Sequence, residues 1–188
     1  MELNKNDSYK KVFVFWIIIL LVSTFTSAMI YVIAQQSLRL AANIAPSQLA
    51  VETSMNLDSG KAAADAVPAN KTDISKSLSP FVIIYDNNKN VVAASATVSG
   101  AQPNYPSAVL KSVTKDNQVR VTWQPKEDLR FATVAVKSSN GYVVAGESLS
   151  ETENIISTIG KLVLFSWLGF AVFSALALAL LYQVITKE

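Results

Sequence analysis

The chain has 188 residues, 51% of them hydrophobic, and its 16 basic residues against 14 acidic ones leave a formal charge of +2. Histidine and cysteine are both absent, which excludes disulfides, thiol chemistry, Ser–His and Cys–His nucleophiles, phospho-accepting histidine and zinc sites of the usual kinds. The small, dispersed basic excess does not favour nucleic acid, which wants a clustered basic face.

An N-terminal segment, 1–11, carries Lys5, Lys10 and Lys11, and Val12–Ala34 then runs without a charge. Roughly 20 apolar residues suffice to cross about 30 Å of hydrocarbon, so 12–34 is expected to be a transmembrane helix. Val32-Ile33-Ala34 would pass as a signal-peptide cleavage motif, but an h-region is about 7–15 residues. An uncleaved anchor is the expectation. The lysines before this span, against only Arg39 closely after it, put the N-terminus in the cytoplasm. Residues 35–160 then lie outside and are charge-balanced.

From Gln35 to about Ala66 the spacing is helical, with Leu38, Ala41, Ala42 and Ala45 on one face. Pro46 predicts a break near Ala45 with a restart at Ser47, and Gly60 an end. Residues 60–79 read as a connection with a short turn around Asp73–Leu78. They include Asn70-Lys71-Thr72, a glycosylation sequon by pattern that reads more simply as a chance match in a loop.

Phe81–Tyr85 and Val91–Ala96 are β-rich runs around "DNNKN", a hairpin signal. That loop offers the first three ligand positions of a calcium loop. Val91 and Thr97 stand where glycine and glutamate are needed, so a turn is expected. Pro106–Lys115 has helical spacing. Strands follow at Gln118–Gln124, Leu129–Ser138 and Tyr142–Leu149, the last two joined by Ser139-Asn140-Gly141. Ser150 and Glu153 form a capping-box pattern opening a helix that runs into a second uncharged stretch, Leu162–Ile185. Residues 161–185 are the second expected span, leaving 186–188 inside.

Two strands, a helix and three antiparallel strands follow the order of a PAS-like sheet. The stretches "QQSLRLAANIAPSQLA", "SLSPFVIIYDNNKNVVAAS", "VRVTWQP" and "LRFATVAVKSSNGYVVAGESLSETE" resemble short bacterial two-span membrane proteins with an extracytoplasmic PAS-like (PDC/Cache-type) domain. "GYVVAGESLSETENIISTI" also resembles the last strand and exit helix of sensor histidine kinase ectodomains, although the kinase is lacking. The resemblance covers most of 35–160 and implies a fold more than an activity.

The expected architecture is therefore α+β: two transmembrane helices flanking an extracytoplasmic PAS-like, five-stranded antiparallel sheet with helices, in the bacterial cytoplasmic membrane with both termini inside. Candidate sites are few. Val119, Val121 and Trp123 share one strand face, opposite Arg120, Thr122 and Gln124. The plainer reading makes Trp123 core and the arginines solvated. The sharper one has Tyr85, Trp123 and Arg130 lining a small-molecule pocket, arginine being suited to carboxylates. Glu147, Glu151 and Glu153 read as strand-end and helix-capping groups. Ala171, Ala175 and Ala179, with Ser166, Gly169, Ser23 and Ser27, form small-residue stripes that would pack the spans together or pair two protomers.

No cofactor or metal is expected, and no enzymatic activity. The expected partners are the bilayer, another membrane protein or a second copy, and a small ligand. The function anticipated is that of a sensor or regulatory protein without its own catalytic output. The alternative is a structural or assembly subunit of an envelope complex.

Overall fold

The computed structural model describes residues 5–69 and 71–185; Asn70 of the sequon and the tail Thr186–Glu188 lie outside the described residues. Two compact units emerge, one from the residues up to Ser37 together with those from Ile155 on, the other from Leu38–Asn154. The elements are α1 (Lys5–Ala41), α2 (Ile44–Asp58), α3 (Ala63–Ala66), α4 (Ser107–Ser112) and α5 (Ser150–Ile185), with strands β1 (Thr72–Asp73), β2 (Phe81–Asp86), β3 (Val91–Ala94), β4 (Ala96–Thr97), β5 (Val119–Lys126), β6 (Leu129–Ser138) and β7 (Gly141–Ser148).

Leu38–Asn154 is built on a five-stranded antiparallel sheet of order β3-β2-β7-β6-β5. Side chains alternate across a strand, and both faces of this sheet are covered. Phe81, Ile83, Tyr85, Trp123, Phe131, Ala135 and Val144 point to one side, where Ile74, Val98, Tyr105, Leu110 and Val113 pack over them. Val82, Ile84, Val134, Val136, Val143 and Ala145 point to the other, against Ala50, Leu49, Val51 and Leu57 of α2 and Ala63 and Ala66 of α3. Strands sandwiched in this way read as continuous apolar runs, as β2 and β6 do. On β5 the cover is one-sided, so Trp123 is buried between exposed Thr122 and Gln124.

Several elements differ from expectation for identifiable reasons. The helical break falls at Ala42–Asn43, upstream of Ala45. Pro46 has no N–H to give to the carbonyl four residues back, at Ala42; in the first turn of a new helix that donor is unpaired anyway. α2 accordingly starts at Ile44 with Pro46 inside its first turn. The Asn43 amide donates to the Arg39 carbonyl at 2.9 Å, closing the end of α1.

The run Val91–Ala96 divides at Ser95. Its hydroxyl accepts from Val82 N–H at 2.9 Å, after which β4 leaves the main sheet to pair in parallel with β1. The β6–β7 turn is the two residues Ser139–Asn140. Gly141 belongs to β7, where a Cβ would overlap the Tyr85 carbonyl oxygen; close backbone approach, not a left-handed turn, requires glycine there.

The capping box at Ser150 does not form. Glu153 N–H donates to the Leu149 carbonyl at 2.8 Å, and its carboxylate is taken by Arg130. Ser148 Oγ instead accepts from Ser150 N–H.

The other unit pairs the long stretches of α1 and α5, each long and apolar enough to cross a membrane by length and composition. They run antiparallel, with Tyr9 edge-on to Tyr182 and Tyr31 against Gly160. Trp16 donates to Ser174 Oγ at 3.0 Å and Trp167 to Thr24 Oγ1 at 3.0 Å. Large apolar side chains such as Phe25, Phe165 and Phe173 cover the remaining surface and are mostly exposed.

Candidate functional site

Three places in Leu38–Asn154 bring together groups that could bear on function. The first is the aromatic face of the sheet. Trp123, only 4% exposed, sits among Tyr105, Phe131 and Phe81 at ring-centroid distances of 5.5, 5.7 and 6.0 Å. Tyr105 and Thr133 share a hydrogen bond of 2.9 Å between their hydroxyls, and Thr133 Oγ1 donates to the Val121 carbonyl. Tyr85 faces the same side; among the described residues its buried hydroxyl makes no hydrogen bond of normal geometry, the Tyr105 backbone N–H being the polar group that faces it. Burial pushes its pKa up to about 12.

Tyr85 and Trp123 thus belong to one buried cluster, with β7 and β6 between their strands. Arg130 stands apart from them, on the face that carries Val134 and Val136, and its guanidinium pairs with Glu153 of α5. Both of those side chains are about 40% exposed; an ion pair so placed contributes about 0–1 kcal/mol. Arg120 is exposed.

The second place is the end of β7. Glu147 is half-buried beside the first turn of α5, and burial, with Glu151 adding to it, raises its pKa. Glu151 is exposed in the first turn of α5, where the helix dipole favours a negative charge.

The third is a cleft that sequence reasoning did not anticipate. It measures about 650 Å³ and is lined by Val51, Ser54 and Asp58 of α2, by 113–118 between α4 and β5, and by 136–139. Asp58 Oδ1 accepts from Ser138 Oγ and from Ser139 N–H, each at 2.8 Å. The Ser139 N–H, then the Ser138 hydroxyl, hold the Asp58 carboxyl below the usual carboxylate range. The residues come from segments far apart in sequence, so only the closed sheet brings them together. Asp58 at a helix end and Lys115-Asp116 in a polar stretch were the available signals, and each is commonplace alone.

The Asp86 loop forms a turn. Asp86 Oδ1 accepts Asn90 N–H at 2.8 Å, and Lys89 takes a positive φ of 69°. Among the described residues no group of three or more acidic side chains is placed to hold a metal ion.

In the helical pair, Ala171 and Ala175 are half-buried while Ala179 is exposed. Ala175 and Ala179 line a groove of about 390 Å³ with Tyr9, Phe13, Trp16 and Tyr182. Ser23 and Ser27 are half-buried on α1 and Ser166 is exposed; Gly169 faces open space. The close approach is at Gly160 instead, where a Cβ would stand 3.2 Å from the Tyr31 ring. Trp16 and Trp167 were the missed residues; indole N–H groups in an apolar stretch need acceptors, and the hydroxyls of Ser174 and Thr24 supply them.

No protein-family model, curated protein or solved structure matches this chain.

Proposed function

We propose that this chain is a membrane-anchored regulatory protein. Its sheet domain faces the extracytoplasmic side, and it acts through a partner rather than by catalysis. The observation that carries this reading is the continuity of α5: the strand β7 is followed at Ser150 by a helix unbroken to Ile185, whose apolar part is exposed and uncharged. Only a bilayer or other apolar surroundings make such exposure tolerable. With α1 similarly apolar, the sheet domain has an apolar helix at each end.

The strand order supports the PAS-like reading. Numbering only the five main strands in sequence, the sheet runs 2-1-5-4-3, with α4 between the second and third. The quoted resemblance and this order point the same way. Both speak to fold and leave the partner to experiment. The absence of histidine and cysteine is the sequence basis for proposing that no catalytic centre is present.

The test is affinity purification of the full-length chain from detergent-solubilised native membranes, with proteins identified by mass spectrometry. The regulatory reading expects a signalling or transport membrane protein at near-stoichiometric yield. Recovery of the chain alone would contradict it. Recovery within a large envelope assembly whose integrity fails on deletion of the chain would support the structural-subunit alternative.

A further inference from the structure

We propose that the groove between α1 and α5 is a site for an anionic phospholipid, one acyl chain lying between the helices and the phosphate held at the level of Lys10 and Lys11. The proposal goes beyond the regulatory reading above and rests only on its membrane placement of the two helices.

The groove of about 390 Å³ is walled by Tyr9, Phe13 and Trp16 of α1 and by Ala175, Ala179 and Tyr182 of α5. On the α1 side the wall is continuous aromatic surface, since the Phe13 ring lies 6.3 Å from that of Tyr9 and 6.2 Å from that of Trp16. Contacts across the pair set the two ends. Tyr9 stands edge-on to Tyr182 with ring centroids 6.1 Å apart, and about two turns further along α1 the Trp16 indole donates to Ser174 Oγ at 3.0 Å. Between those contacts the small side chains of Ala175 and Ala179 leave the gap open.

Dimensions choose the occupant. At a rise of 1.5 Å per residue, Tyr9 to Trp16 spans about 11 Å. A volume of about 390 Å³ over that length gives a mean cross-section of about 35 Å² and a width of about 7 Å. A helix with its side chains needs about 10–12 Å and is too wide to enter. A single hydrocarbon chain lies along such a slot, and lipid chains are the solvent around a spanning helix pair.

Charge chooses the headgroup. Lys10 and Lys11 are exposed and follow Tyr9 directly, so both lie within about 3 Å of its depth along the helix. Their long side chains can keep the ammonium in the headgroup layer. This end of α1 holds Lys5, Lys10 and Lys11 against the single acid Asp7, and α5 has no acidic residue beyond Glu153. A phosphate at the level of the tyrosines, where aromatic rings meet the headgroups, therefore meets net positive charge. Basic residues at the cytoplasmic edge of membrane helices attract anionic lipid, each adding to the attraction. A zwitterionic headgroup of the same chain length gains little from them.

The test is native mass spectrometry of the full-length protein, delipidated in detergent and offered equal amounts of phosphatidylglycerol and phosphatidylethanolamine with identical acyl chains. Phosphatidylglycerol is expected to be retained at least about tenfold more, the factor that one or two added charge contacts supply. Ala179→Trp places an indole in the groove and should abolish retention. Leu180→Trp, at an exposed side chain off the lining, should leave it intact. The double variant Lys10→Gln/Lys11→Gln should retain lipid but lose the headgroup preference. If the double variant inserts wrongly, the wild-type preference and the two tryptophan variants decide the matter.

The proposal is overturned if wild type retains the two lipids equally, if Ala179→Trp retains phosphatidylglycerol as wild type does, or if a correctly inserted Lys10→Gln/Lys11→Gln protein keeps the preference. Loss of a co-purifying membrane protein from Ala179→Trp, with lipid retention unchanged, would give the groove to that protein and equally overturn it. A partner that still co-purifies with a wild type showing no lipid preference would leave the regulatory reading standing, whereas recovery of the chain in the soluble fraction would remove both.

Discussion

On the aromatic face of the sheet, Tyr85 and Trp123 are buried to the same depth with opposite energetic consequences. Trp123 fills space among three other rings, so Trp123→Ala should cost about 3–5 kcal/mol, the range for large aromatic truncations in a core. The Tyr85 hydroxyl is desolvated with no hydrogen bond of normal geometry among the described residues, and a buried hydroxyl left wholly unsatisfied costs up to about 1–3 kcal/mol. Tyr85→Phe should therefore leave stability equal or raise it by about 1 kcal/mol. Denaturant unfolding of the two variants checks this; a clear loss in Tyr85→Phe would show that the hydroxyl has a partner.

Glu147 carries a pH dependence of the opposite sign from Asp58. Its folded pKa is raised, so the folded state binds the proton more tightly than the unfolded chain. Stability associated with Glu147 is fully present below the unfolded pKa and is lost as pH rises through the folded one. Glu147→Gln should flatten that decline and melt higher than wild type at neutral pH. Asp58, held low, contributes stability above its unfolded pKa that disappears as pH falls through the folded value. Melting temperature against pH for Glu147→Gln and wild type separates the two contributions.

Among the elements, the antiparallel register of α1 and α5 follows from four contacts: Tyr9 with Tyr182, Trp16 with Ser174, Thr24 with Trp167 and Tyr31 with Gly160. In each pair the two numbers sum to nearly the same value, which places Leu20 opposite Ala171; both are half-buried. Because the chain has no cysteine, a Leu20→Cys/Ala171→Cys double variant reports cleanly. It should oxidise to an intramolecular disulfide, whereas Leu21→Cys/Phe173→Cys, on outward faces, should not. Reversal of that pattern on non-reducing gels would reject the register.

Elements were far more legible in the sequence than sites. β6 is legible at its observed bounds, and β2, β5 and β7 to within one or two residues, because each run is rich in β-branched or aromatic residues and bounded by polar turns. The break at Ala42–Asn43 was displaced because a proline acts four residues upstream, not only at its own position. Ser95 was read as strand because nothing local reveals that its hydroxyl will take the Val82 N–H and end the pairing. The cleft was invisible for a different reason. Asp58, Lys115 and Ser138 become neighbours only after the sheet closes, and none stands out in its own segment. Gly160 is a further case: a Cβ there would stand 3.2 Å from the Tyr31 ring, a closeness that only the pairing of the two helices reveals.

For the whole molecule, the distribution of apolar surface carries the account. Leu38–Asn154 buries its large apolar side chains on both sides of one sheet, while α1 and α5 expose theirs along their apolar lengths. A chain with that distribution should be recovered in the membrane fraction and resist extraction by alkaline carbonate. The lysines before the first apolar stretch set the expected direction of insertion.

The most direct measurement is cysteine labelling of intact cells with a membrane-impermeant maleimide, using single variants at exposed positions in the cysteine-free background. Ser59→Cys and Asn140→Cys should label in intact cells, and Lys10→Cys only after permeabilisation. Labelling of Lys10→Cys in intact cells with Ser59→Cys protected would invert the topology, and recovery of unmodified chain in the soluble fraction would contradict membrane insertion altogether.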